Sequence, residues 1–165
     1  MTLDELAKKE EHLLQRVRSI KGGYQEYPSD YDSIFNEYEK IHHEYTDLAI
    51  LSSDIEALKR AVFIQWFLVS EPAFISGIKK LDQDSMVSAL DELQKIILTG
   101  SIDEEFTWML NCYCRITNDF LVPRSRYGKV ISYLEGLPDW KPERAAGFSF
   151  HNRGQMGEYW LSRSE

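Results

Sequence analysis

One run of residues constrains this chain more than any other. Tyr24, Tyr27, Tyr31, Ile34, Tyr38, Ile41, Tyr45 and Leu48 are separated by three and four residues in strict alternation. Residues three or four apart share a face only on an α-helix. A repeat of seven is the signature of helices that lie along one another. The segment is therefore read as one helix from about Ser29 to Leu48, with Pro28 in the first turn, where its missing N–H is harmless.

The remaining sequence has the same period. Thr2 with Glu5 forms a capping box, and Leu3, Leu6, Leu13, Val17 and Ile20 follow it as a stripe that Glu10 interrupts. Gly22-Gly23 supplies a stop and a short link, so the first two helices are expected to form an antiparallel hairpin. Ser53 with Glu56 and Ser101 with Glu104 read as two further capping boxes. Between Ile55 and Val69 the apolar residues cover nearly every side, which places that helix at the centre. Pro72 opens a short helix from Ala73 to about Leu81. Met86, Leu90, Leu93 and Ile97 mark the next, closed at Gly100, and Phe106, Met109, Tyr113, Ile116 and Phe120 another, ended by Pro123. Arg126 to Glu135 completes the set.

Beyond Gly136 the periodicity fails. Glycines and prolines mingle there with Trp140, Phe148, Phe150, Tyr159 and Trp160, and disordered tails are poor in aromatics. The tail is expected to dock, with a short strand or turn near Phe148 to His151. The expected fold is all-α: one domain in which residues 1–136 form an antiparallel bundle of six to seven helices and residues 137–165 an aromatic, mostly irregular extension.

With 165 residues the chain is long enough to bury a core without disulfides or metals. Its two cysteines, Cys112 and Cys114, sit two apart on a helix, where a disulfide would be strained, so both are read as reduced thiols. The start lacks a basic, apolar leader, and the longest apolar stretch, Ala61 to Val69, is far short of a membrane span; a cytoplasmic location is expected.

Charge is the most informative quantity. Nine acids (Glu26, Asp30, Asp32, Glu37, Glu39, Glu44, Asp47, Asp54, Glu56) and one base, Lys40, lie between Gly22 and Glu56, which accounts for the whole net charge of −8. An acidic chain repels polyphosphate, so no nucleic-acid partner is expected. Asp30, Glu37 and Glu44 lie beside Tyr31, Tyr38 and Tyr45. Tyrosine suits a surface with one apolar and one wet end, and each fully buried phenol needs a partner. Two readings stand. In one, the tyrosines line a half-exposed groove beside a merely solvated acidic face. In the other, these six residues form a docking surface for a basic protein, with rigid rings as anchors and carboxylates for charge complementarity. The basic C-terminal third (Arg124, Arg126, Lys129, Lys141, Arg144, Arg153) could meet the acidic helix within the molecule or in a second copy, so a homodimer stays open.

Nucleophile elbows and phosphate-cradling glycine loops are missing, and one Glu39-x-x-His42 pair is too little for a carboxylate-bridged metal centre; no cofactor or metal is expected. The carboxylates and tyrosines together resemble, in surface chemistry and without a shared motif, small acidic helical bacterial proteins that neutralise nuclease toxins. The expected function is a non-enzymatic interaction protein, an adaptor or toxin-neutralising protein. The alternative is a helical enzyme or small-ligand binder with a pocket between Trp66, Trp108 and the tail, where His151 and Arg153 would supply polar contacts.

Overall fold

The structure, a computed structural model, describes residues 1–20, 25–26 and 28–164, with Ser164 known by its backbone alone. It is all-α: α1 (Leu3–Ser19), α2 (Pro28–Ser52), α3 (Ile55–Ser70), α4 (Ala73–Ser76), α5 (Gln83–Leu98), α6 (Glu104–Ile116), α7 (Gly128–Glu135), a 3-10 turn at Pro142–Gly147, and α8 (Gly154–Ser164). Among the described residues no helix is long and apolar enough to cross a membrane. Tyr24, Tyr27 and the Gly22-Gly23 stop lie outside the described residues.

α3 is the axis of the fold, as its all-round apolar sequence implies: Ala57 through Phe67 are buried without interruption. α2 packs along it, α5 and α1 flank α2, and α8 crosses α1 and α3. Leu6, Ile34, Tyr38, Phe63, Trp66, Leu93, Phe106, Tyr113, Phe120 and Trp160 belong to one continuous core.

Local chemistry sets the boundaries. Thr2 and Glu5 form the capping box at α1. The other two starts differ from the expected boxes. Asp54, not Ser53, caps α3 by accepting from the Ala57 amide at 3.0 Å, and Asp103, not Ser101, caps α6 by accepting from the Phe106 amide at 2.7 Å. Glu56 is drawn away into ion pairs with Arg60 and Arg153, so it does not complete a box. α4 stops at Ser76 rather than near Leu81. Gly77 turns the chain with φ 75°, a conformation that costs glycine little, and any Cβ there would meet the Tyr38 ring at 2.9 Å. α6 ends at Ile116, before Pro123, and Phe120 and Leu121 enter the core from the loop that follows.

The C-terminal extension is more regular than its composition implies. No strand forms near Phe148; instead α8 runs for 11 residues. Its glycines, read as helix breakers, let the helix approach its neighbours closely: a Cβ on Gly157 would lie 2.2 Å from the Phe150 carbonyl oxygen.

Candidate functional site

The tyrosine row of α2 faces inward. Tyr31, Tyr38 and Tyr45 are 3%, 0% and 0% exposed, so they form core rather than a wet groove. The Tyr45 hydroxyl reconciles this burial with its polarity by donating to Glu10 Oε1 at 2.6 Å, while the Tyr38 hydroxyl is buried without a partner. Burial pushes both phenols well above their ordinary pKa.

The carboxylates lie toward the outside: Asp30, Asp32 and Asp47 are exposed, and Glu37, Glu39 and Glu44 are half-buried. At about 100° per residue, Ser29, Ser33, Asn36, Lys40, His43 and Asp47 run along the outermost line of α2. Asp30, Glu37 and Glu44 flank that line on the α1 side, where Arg16 reaches Ser33; Asp32 and Glu39 flank it on the α5 side, where Lys80 pairs with Glu39 at 3.2 Å. Glu37 pairs with Lys40 at 2.9 Å, and His43 sits 3.5 Å from Asp47. Among the described residues no ion pair holds Asp30 or Glu44. Within α2 six acids face one lysine.

Three of the basic C-terminal residues find partners elsewhere. Arg126 forks onto Asp91 (2.9 and 2.6 Å), Arg124 donates to Asn118, and Arg144 lies 3.6 Å from Glu104. Among the described residues of this group Arg153 alone turns to the acidic window, at its far end: it binds Glu56, which follows α2 in the chain.

Beneath α2 lies a network that periodicity did not reveal. Arg153, 8% exposed, donates to Glu56, to Glu105 at 2.6 Å and to the Ser149 carbonyl at 3.0 Å. Lys59 completes Glu105 (2.8 Å) and Asp103 (2.7 Å). Arg60 joins Glu56 (2.8 Å), the Leu3 carbonyl (3.1 Å), the Tyr45 hydroxyl (3.4 Å) and the Asn152 carbonyl (3.5 Å). Three cations thus balance three carboxylates at the junction of α1, α2, α3, α6 and the C-terminal segment. Burial alone would raise the Glu105 pKa, but Arg153 and Lys59 outweigh it and hold the carboxyl below its ordinary value. The signal for these residues was present in the sequence: Lys59 and Arg60 interrupt the most apolar helix, and Glu10 interrupts the stripe of α1.

Trp66 and Trp108 do not share an open pocket, although Trp108 lines a cleft of about 340 Å³ with Trp140, Lys141 and Arg144 of the extension. Trp66 stacks on Tyr113 (4.4 Å), Trp108 packs on Trp160 (4.5 Å) and Phe150 (6.2 Å), and these rings fill the intervening space. His151 and Arg153 line a different cleft of about 490 Å³, between α1 and the C-terminal segment, together with Asp4, Lys8, Glu11 and Glu158. The Glu39–His42 pair diverges as well: His42 is fully buried, 2.9 Å from the Gln65 amide nitrogen, and burial lowers its pKa to about 3. Cys112 and Cys114 are free thiols whose pKa burial pushes up to about 11 and about 12. Comparison of the chain with family models, with curated proteins and with solved structures returns no match.

Proposed function

We propose that this chain is a non-enzymatic interaction protein that binds a basic protein through the outer face of α2, as an adaptor or toxin-neutralising protein. The observation that carries this reading is the pairing of opposite roles on one helix. The phenol row of Tyr31, Tyr38 and Tyr45 bolts α2 into the core, while Asp30 and Glu44 stand beside it with no ion pair among the described residues. A rigid rod with a concentrated negative field steers a cationic partner and loses little entropy on docking. The tyrosines then act as the mount of the surface rather than as its anchors.

The test is affinity capture with the purified chain, elution by a salt gradient and identification of what elutes. A basic protein released by moderate salt supports the reading, provided that Glu37→Lys/Glu44→Lys loses it while far-ultraviolet circular dichroism stays unchanged. Retention by the double variant would refute it. A second reading, a small-ligand protein, draws on the 490 Å³ cleft beside His151. It expects a small polar molecule to raise the melting temperature of the wild type and not of His151→Ala.

A further inference from the structure

Glu10 occupies an apolar position of α1 and is 1% exposed. Its carboxylate accepts from the Tyr45 hydroxyl on Oε1 (2.6 Å) and from the Gln155 backbone N–H on Oε2 (3.1 Å). The second donor lies in the first turn of α8, so a side chain of α1 caps that helix from the other end of the chain. Gly154 makes the approach possible: it has φ 60°, and a Cβ there would stand 2.2 Å from Glu10 Oε1. Among the described residues no ion pair reaches Glu10. Arg60 reaches Glu10 only through Tyr45: its Nη1 donates at 3.4 Å to the same hydroxyl that donates to Glu10, and its guanidinium carbon lies 5.6 Å from the ring centroid.

We propose that Glu10 is a proton-operated latch on the C-terminal helix: protonated, it seats α8 against α1 and α3; ionised, it loosens α8 and the cover that α8 provides over the aromatic core. Undocking returns the carboxyl to water and exposes Met156 and Trp160, each 1% exposed when docked.

The groups facing Glu10 compete. Tyr45 and the Gln155 N–H favour the ionised form by hydrogen bonding, and Arg60 favours it by charge. Glu158 on α8 opposes it, Tyr38 on α2 presents a neutral phenol, and burial opposes it most. The balance moves Glu10 from an ordinary 4.5 to about 7. A carboxyl raised on docking stabilises the docked state fully below its ordinary pKa, and the stabilisation is lost as pH rises through the docked value. With the values 4.5 and about 7, linkage makes the α8 opening equilibrium rise about tenfold between pH 6 and 8.

Hydrogen exchange on the full chain tests this, with each peptide's rate corrected for the intrinsic pH dependence. Peptides from residues 155–164 of the wild type should lose about tenfold protection between pH 6 and 8, while α3 peptides keep theirs. Glu10→Gln should flatten the α8 dependence. Tyr45→Phe removes a bond that favours ionisation, so it should shift the same transition to higher pH. Equal pH dependence of α8 and α3 in the wild type, or an unchanged α8 transition in a folded Glu10→Gln, overturns the proposal. Should Glu10→Gln fail to fold, the wild-type profile and the direction of the Tyr45→Phe shift decide.

Discussion

Replacing Arg153 by alanine probes how the C-terminal segment is fastened. The guanidinium is 8% exposed, forks onto Glu56 and also serves Glu105 and the Ser149 carbonyl. Removing one partner of a buried pair costs about 3–5 kcal/mol, because the other charge is left in a poor solvent. Here each carboxylate keeps a second cation: Arg60 lies 2.8 Å from Glu56, and Lys59 lies 2.8 Å from Glu105. Glu56, with a side chain 26% exposed, can also recruit water. Both compensations reduce the expected loss to about 2–3 kcal/mol. That corresponds to a fall of about 5–10 °C in melting temperature for a chain of this size. The assay is urea denaturation followed by circular dichroism, repeated for Arg153→Met, Glu56→Met and Arg153→Met/Glu56→Met. The double variant restores the charge balance of the network, so it should lose less than the two singles combined, with a coupling of about 1–3 kcal/mol. A loss below about 0.5 kcal/mol for Arg153→Ala, or strict additivity in the cycle, would refute the claim that these charges act as one buried unit.

Other perturbations follow from the same geometry. Gly157→Ala sets a methyl group against the Phe150 carbonyl oxygen at 2.2 Å, and backbone cannot rotate away; a loss of about 3 kcal/mol is expected, localised to α8 by hydrogen exchange. Gly128→Ala meets nothing within 4 Å at the start of α7 and should stabilise the chain by about 0.5–1 kcal/mol, read from the urea midpoint. Trp160→Ala empties a site lined by Trp108, Tyr113, Phe150 and Tyr159 and should cost about 3–5 kcal/mol in the same assay. Glu105 is held below its ordinary 4.5, so its contribution is present above that value and is lost as pH falls; acid titration monitored by tryptophan fluorescence should show Glu105→Gln with a shallower loss of stability between neutral and acid pH.

Periodicity exposed the helices because burial selects residues by face, and α2 in particular follows from the alternation of Tyr31, Ile34, Tyr38, Ile41 and Tyr45. It could not place the phenol oxygens. Whether a tyrosine faces water or core depends on what stands opposite, and for Tyr45 that is Glu10, 35 residues away on another helix. The same limit hid the ion network: Glu56 and Arg153 are 97 positions apart, and only packing brings them together. Gly154 and Gly157 weaken helix propensity locally, so the sequence implies an irregular segment where α8 forms. Tertiary contact overrides that cost: Gly154 lies against Glu10, and Gly157 lies against Phe150. The three charged residues inside apolar stripes, Glu10, Lys59 and Arg60, were the legible clue, since such residues are rarely buried unless paired.

The central claim is that the outward carboxylates of α2 form a docking surface. The most direct measurement is the affinity of the captured basic partner for the wild type and for Glu37→Lys/Glu44→Lys, each over a range of salt concentrations. The account expects wild-type affinity to fall steeply as salt rises and the double variant, equally helical, to bind at least a hundredfold more weakly, about 2.7 kcal/mol. Equal affinities for the two proteins, with no dependence on salt, would contradict it.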